Sequence, residues 1–305
     1  MKISNTDIEH NAHTAGTQTG ARKRIKINEI IRRLKDAGIE SPAANAQAIL
    51  RSLLNSSLVD LYVNEAELCA DDFLSLEQML NRRIKGEPLQ YILGMANFLG
   101  HDIKVKKGVF IPRPETEILV QTMTHFLSGP RQLYPLNILD LCTGSGNIAI
   151  SLTKALTHCK IISSDISDEA LETAKKNAAL NNVSESVISI KADLFSLPDD
   201  YRKLFDAVIC NPPYISCADM NGIPVELRHE PGQALCGGAD GMDFYRRIIK
   251  DSPDFLKKDG IIGLEIPDNS SNRIKAIVDS SGMFYDINFF DDLNGIARVV
   301  TARLK

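Results

Sequence analysis

Downstream of Pro135 the chain repeats a pattern that few folds satisfy: apolar runs of strand length alternate with longer stretches of helical spacing. The runs cover 138–141, 161–164, 187–190, 207–210 and 261–266, and helical spacing fills 148–155, 168–180 and 244–256. Strands so uniformly apolar must be buried on both faces. Helices placed between them in sequence supply the cover when the strands run parallel. After a further helix over 269–278, two more strand segments, 285–290 and 297–302, flank Asn294-Gly295. Asn-Gly is a hairpin turn signal, so these two close the sheet as an antiparallel pair at its edge. The predicted fold class is α/β: a Rossmann-like, doubly wound, mostly parallel sheet of seven strands.

The first third reads differently. Ile27, Ile30, Ile31 and Leu34 share a helix face that ends near Gly38. Ser41-Pro42 opens another helix with Ala46, Ile49, Leu50, Leu53 and Leu54 on one side. No strand-like alternation stands out before Gly86, so residues 21–86 are expected to form a small all-α domain. Residues 1–20 are polar, bury too little to offset the entropy of ordering and read as a flexible tail. Residues 87–114 hold short extended pieces around turns, a hairpin connector. The large domain then spans 115–305 and opens with a helix whose acidic first turn suits the helix dipole.

A formal net charge of -4 gives no overall field that would draw nucleic acid. Residues 1–107 carry 15 basic against 13 acidic side chains and the remainder 20 against 26. Solvated helix faces explain that asymmetry as well as an acidic partner of the first part does. The six cysteines include no Cys-x-x-Cys pair and no His at ligand spacing, so the thiols read as reduced and no metal site is expected. An apolar run of about 18 residues is absent, and residues 1–20 lack a secretory core and a transit-peptide composition. The cytoplasm is the expected location.

Two segments carry chemistry. In the first, the strand over 137–141 runs into Cys142, Thr143, Gly144, Ser145 and Gly146 and then a helix. Glycines there let the backbone turn tightly and approach a ligand, and the helix start adds free N–H groups. Asp165, ending the next strand, is placed to accept from a ribose diol. Gly144-x-Gly146-x-x-Ala149 also satisfies a permissive dinucleotide pattern, which keeps an NAD enzyme as a competitor. Asp140, just before the loop, fits the Asp-x-Gly/Cys-x-Gly-x-Gly signature of adenosylmethionine enzymes. An acid there suits an amino group and a sulfonium and repels a pyrophosphate. Asp193 follows the third strand as either an acceptor for an adenine amino group or a helix N-cap, with Leu194 against the ring.

In the second segment, Asn211, Pro212, Pro213 and Tyr214 follow a strand that ends at the same rim. The prolines fix φ, keep the chain extended and remove two N–H donors. The Asn211 side-chain oxygen and the Pro212 carbonyl can then take both hydrogens of one NH2 group, with Tyr214 as a flat face. A planar amide nitrogen needs such a grip because its lone pair is delocalised. Two fixed acceptors aim it at an electrophilic methyl and favour pyramidalisation.

Further motifs stand in order around these two. They are Arg83, Gly86-Glu-Pro-Leu-Gln-Tyr91, Gly94, Ile111-Pro-Arg113-Pro-Glu-Thr-Glu117, Ser164-Asp165 and Glu230-Pro231. Together the chain resembles the HemK/PrmC family of protein-glutamine methyltransferases over nearly everything from residue 25 onward. The resemblance implies a class I methyltransferase domain with S-adenosylmethionine at Cys142, Thr143, Gly144, Ser145, Gly146, Asp165, Leu194 and Asn211, to which the residue reading adds Asp193. It also implies that the glutamine of a release factor's Gly-Gly-Gln loop meets residues 211–214, and that the helical domain docks the factor. Where some members carry Gly and Trp, this chain has Cys142 and Leu194. A ribosomal-protein glutamine would use the same site. The Asn-Pro-Pro-Tyr tetrapeptide also serves N6-adenine DNA methyltransferases, but the charge balance offers no broadly basic face for a nucleic acid. Neither nucleic-acid nor membrane partners are expected.

Overall fold

A computed structural model of the chain describes residues 22–54, 58–63, 66–128 and 135–305; the tail expected over 1–20 lies outside them. The backbone divides between Ile84 and Lys85 into a smaller and a larger unit. In the smaller unit α1 (Ile27–Asp36), α2 (Pro42–Leu53), α3 (Leu58–Val63) and α4 (Ala70–Ile84) follow one another. Ile27, Ile30 and Leu34 are buried along α1, Ala46, Ile49 and Leu50 along α2, and Leu76 and Leu80 along α4. This is the helical spacing that the sequence carries. One correction applies: β1 (Lys23–Ile25) pairs antiparallel with β2 (Ala66–Leu68), so this helical unit also holds a ribbon. Strands of three residues are too short for alternation to register.

The larger unit begins with α5 (Leu89–Leu93) and a hairpin of β3 (Met95–Phe98) and β4 (His101–Lys104). Phe98, Ile103 and Ile111 bring the expected connector into the core of this unit. α6 (Pro114–Leu127) starts on a proline whose missing N–H would have no intrahelical partner anyway. Arg113 before it is extended, as a residue preceding proline must be. The buried side of α6 carries Leu119, Val120, Met123 and Leu127, and also Thr116.

The remaining elements alternate as the sequence predicts. They are β5 (Leu136–Leu141), α7 (Asn147–Ala155), β6 (Cys159–Asp165), α8 (Asp168–Leu180) and β7 (Val187–Lys191). After β8 (Phe205–Cys210) come α9 (Asp243–Asp251), β9 (Leu256–Glu265), α10 (Ser271–Ser281), β10 (Phe284–Asp291) and β11 (Ala297–Leu304). The strands form one seven-stranded sheet in the order β10-β11-β9-β8-β5-β6-β7. β5 through β9 run parallel, and β11 and β10 extend the sheet antiparallel at one edge. The helix expected over 244–256 is shorter than its periodicity suggests. Pro253 lacks the N–H needed to continue it, so α9 stops at Asp251 and β9 already starts at Leu256.

Successive residues of the central strands serve opposite faces. Ile138, Ile161, Ala207, Ile209 and Ile261 pack with residues of α6 and α7. Leu139, Ile162, Val208, Cys210 and Ile262 pack with residues of α9 and α10. Because β5 lies between β6 and β8, the winding reverses beside it and opens a crevice beyond the carboxyl ends of those strands.

Candidate active site

That crevice holds a cavity of about 320 Å³. Its walls come from the loops after β5, β6, β7 and β8 and from the segment that enters α6. On the β5 side, Cys142 (φ 54), Gly144 (φ 55) and Gly146 (φ 82) all adopt left-handed backbone conformations. The two glycines serve different ends. A Cβ on Gly144 would meet only the Cys142 carbonyl, at 3.9 Å, so the space beside it is open. A Cβ on Gly146 would lie 3.1 Å from the Ala174 Cβ, so its absence lets α8 pack against the loop. Asp165 accepts from the Gly144 and Ser167 N–H groups, each at 2.9 Å, and lines the cavity. Burial raises its carboxyl above the usual range. A carboxylate oxygen has lone pairs left after one such bond, and a diol can donate to them.

Asp140 departs from expectation. Its side chain is fully buried beneath the loop, outside the cavity lining, and accepts from the Thr143 hydroxyl at 2.5 Å. Burial lifts its carboxyl to about 7. It therefore shapes the loop through Thr143 rather than meeting a ligand. Asp193 and Leu194 line the cavity beyond β7. The Asp193 carboxylate pairs with Arg247 at 2.9 Å. Its backbone carbonyl, rather than its side chain, accepts from the Ser196 N–H. Leu194 is buried with φ 49 and packs into the core beneath.

In the loop after the neighbouring strand β8, Asn211 follows directly on Cys210, which is paired with Leu264 of β9. Its side-chain Nδ2 donates to Thr116 Oγ1 at 3.0 Å. The Thr116 hydroxyl in turn donates to Glu265 Oε2 at 2.6 Å. Among the described residues neither the Asn211 Oδ1 nor the Pro212 carbonyl accepts a hydrogen bond. Burial holds the Tyr214 hydroxyl well above its ordinary value, so the phenol stays protonated. Behind the tetrapeptide, Ile215 bridges to Cys236, and a Cβ on Gly237 would come within 2.6 Å of the Pro213 carbonyl. This close backbone contact fixes where the prolines sit.

Eight of the nine positions expected to meet the cofactor and all four expected to meet the substrate therefore line one space; Gly146 instead faces α8 at Ala174, and Asp140 is withdrawn beneath the loop. Sequence reasoning misses two neighbours of Asn211. Thr116 lies inside a quoted motif without a role, and Glu265 carries no signal of its own at the end of an apolar strand. The segment before α6 has its own anchor: Arg113 is ion-paired with the buried Glu230, which also accepts from the Ile111 N–H at 3.0 Å. An open glycine, a carboxylate facing the cavity and the apolar Leu194 and Ile166 nearby suit S-adenosylmethionine.

Comparison with known proteins identifies the family of the chain. Residues 27–94 match the PrmC N-terminal domain, and residues 103–226 match the methyltransferase small domain. The release factor glutamine methyltransferase of Thermodesulfovibrio yellowstonii is 38% identical over 260 residues, 84% of this chain and 90% of its own length. That of Agrobacterium fabrum is 36% identical over 275 residues, 89% of this chain and 94% of its own. In fold alone, the chain is similar to the hMettl16 catalytic domain in complex with MAT2A 3'UTR hairpin 6. That structure is 17% identical with a TM-score of 0.53, over 79% of this chain and 85% of its own. With both domain types in order and identity sustained over nearly the full length, the chain belongs to the release factor glutamine methyltransferase family.

Proposed function

We propose that methyl transfer takes place in this cavity, with the β5 loop and Asp165 holding S-adenosylmethionine and residues 211–214 holding the substrate amide. As a member of its family, the chain is an adenosylmethionine-dependent protein methyltransferase whose substrate is the release-factor glutamine. Its relatives do not favour a ribosomal-protein or a DNA substrate. S-adenosylmethionine, when bound, supplies an electrophilic methyl group on a sulfonium. The residues of the chain supply placement. Open space at Gly144 and the acceptor oxygens of Asp165 bind the nucleoside. The Asn211 Oδ1 and the Pro212 carbonyl each take one hydrogen of the glutamine NH2, and Tyr214 covers its planar face. With both hydrogens held, the nitrogen keeps one orientation, and its lone pair can turn out of conjugation as the new bond forms. Fixing two reactants in this way is worth on the order of 7–11 kcal/mol of barrier.

The observation that carries the reading is the pair of free acceptors at Asn211 and Pro212, lining the same cavity as an open glycine. The helical unit is the docking element for the factor, and nucleic acid is not a partner. No helix among the described residues is long and apolar enough to cross a membrane; the cytoplasm, where release factors act, is the proposed location. The deciding experiment incubates the protein with methyl-labelled adenosylmethionine and four acceptors: a release factor, the same factor with its Gly-Gly-Gln glutamine replaced, a ribosomal protein and duplex DNA. Label only on the intact factor supports the reading. Equal label on the replaced factor, or label on DNA, overturns it.

A further inference from the structure

The Asn211 carboxamide has an oxygen and a nitrogen of nearly equal size, and only one of its two orientations offers an acceptor to a substrate NH2. The surroundings of its buried end decide between them. Cys210 of β8 is paired with Leu264 of β9, so Asn211 and Glu265 occupy equivalent positions at the ends of adjacent parallel strands. They therefore face the same side of the sheet, the side covered by α6. α6 is pressed onto that side, since a Cβ on Gly263 would lie 2.2 Å from the Met123 sulfur. Gly263 and Glu265 share a strand face, and Met123 and Thr116 share a helix face two turns apart. The contact at Gly263 thus delivers the Thr116 hydroxyl to Glu265, beside Asn211.

We infer that Thr116 and Glu265 are positioning residues that set the orientation of the Asn211 amide. The inference rests on the proposed function of Asn211. A hydroxyl has one proton. An ionised Glu265 can only accept, so it takes that proton through the 2.6 Å bond and leaves Thr116 Oγ1 with lone pairs alone toward Asn211. Asn211 must then present Nδ2, as it does at 3.0 Å, and Oδ1 is turned to the cavity. Protonating Glu265 reverses the chain. The carboxylic acid then donates to Thr116, the Thr116 proton turns to Asn211 Oδ1, and the amide NH2 faces the substrate NH2, donor against donor.

Several charged and titratable groups surround Glu265. Burial raises its carboxyl to about 7, helped by Glu115 in the first turn of α6 and opposed by the Thr116 bond, by Arg298 of β11 and by Arg113. From α9 the Tyr245 hydroxyl donates to the Glu265 backbone carbonyl at 2.8 Å, and the Tyr214 phenol stands nearby. A carboxyl held near neutrality is protonated below that pH, so the productive orientation is lost on the acid side.

The test uses the full-length protein with adenosylmethionine and release factor. Thr116→Val keeps the shape and removes the hydroxyl; kcat is expected to fall about 10- to 100-fold. Cofactor affinity by titration calorimetry should stay close to wild type, and Thr116→Ser should restore most of kcat. Glu265→Gln can donate or accept and does not titrate, so the acid limb of kcat against pH should flatten. Full kcat in Thr116→Val overturns the inference, as does a Thr116→Ser enzyme as slow as Thr116→Val, or a wild-type acid limb in Glu265→Gln. If calorimetry reveals that Thr116→Val has not folded, the serine and glutamine variants decide. Failure of the underlying reading looks different: there Asn211→Ala itself retains turnover, or wild-type protein labels no glutamine.

Discussion

The two rims of the cavity are built on opposite principles. The rim after β5 works through backbone and vacancy. Gly144 leaves open space, its N–H is held by Asp165, and the Gly146 N–H closes the turn on the Thr143 carbonyl at 2.8 Å. Apart from Asp165, the residues that shape this loop lie within seven consecutive positions, from Asp140 to Gly146. The rim after β8 sets a side-chain oxygen beside the Pro212 carbonyl, and the Asn211 amide that carries it is bonded to Thr116, 95 residues earlier, and through it to Glu265, 149 residues beyond that. A backbone site tolerates change in side chains that a side-chain site cannot. The first rim should therefore fail in affinity and the second in turnover.

The largest effect expected is at the second rim. Asn211→Ala removes an acceptor used as the nitrogen reacts and should lower kcat roughly 10²- to 10³-fold, in the range seen for single groups that stabilise a transition state. Adenosylmethionine binding should remain measurable by calorimetry. Loss of binding with kcat unchanged for the bound fraction would merge the two rims into one.

Next come the two glycines, which separate ligand space from packing space. Gly144→Ala puts a methyl into the open cavity and should weaken adenosylmethionine about 10- to 100-fold, the scale of losing a charge-assisted hydrogen bond or a close approach. Both substitutions strain a left-handed residue, but Gly146→Ala also forces a Cβ against Ala174, so it should lower the melting temperature more than Gly144→Ala does. Equal melting temperatures would mean that the loop yields and that α8 does not depend on that contact. Asp165→Ala belongs to the same rim and should also act on affinity, about 10-fold or more, because a carboxylate that accepts from a diol is lost. Unchanged affinity in the titration removes Asp165 from the nucleoside site.

The same contrast explains what was legible in the sequence. Strand and helix periods, the edge hairpin at Asn294-Gly295 and the loop from Cys142 to Gly146 are local patterns, and each is found where its pattern lies. The Asn211 oxygen and the Pro212 carbonyl are legible as acceptors, and Tyr214 as a flat face, for the same reason. Asp140 misled because a carboxylate beside a glycine loop has the same spelling whether it faces the ligand or lies beneath the loop. The bonds of Thr116 to Asn211 and Glu265 depend on how α6 lies across β9, where Met123 packs closely against Gly263. No spacing along the chain encodes such a fit. The ribbon of β1 and β2 and the early end of α9 were missed for smaller reasons, brevity in one case and an undervalued proline in the other.

The smallest effect expected tests how far the first rim is independent of side chains. Cys142 sits at φ 54, where an L residue is strained by about 1–2 kcal/mol relative to its ordinary conformations. Its side chain also packs partly against the core beneath the sheet. Cys142→Ala should therefore destabilise slightly, losing the sulfur contact while keeping the strain. Cys142→Gly removes one more carbon and would ordinarily be worse than alanine by about 0.5–1 kcal/mol. Here the order should reverse, with glycine more stable than alanine by about 0.5–1 kcal/mol in denaturant unfolding, because only glycine relieves the left-handed backbone. Adenosylmethionine affinity should hardly differ between the two, since neither variant adds a side chain to the open space beside Gly144. An alanine variant at least as stable as the glycine one would mean that the cysteine side chain, not the backbone, holds this turn, and the contrast between the rims would narrow accordingly.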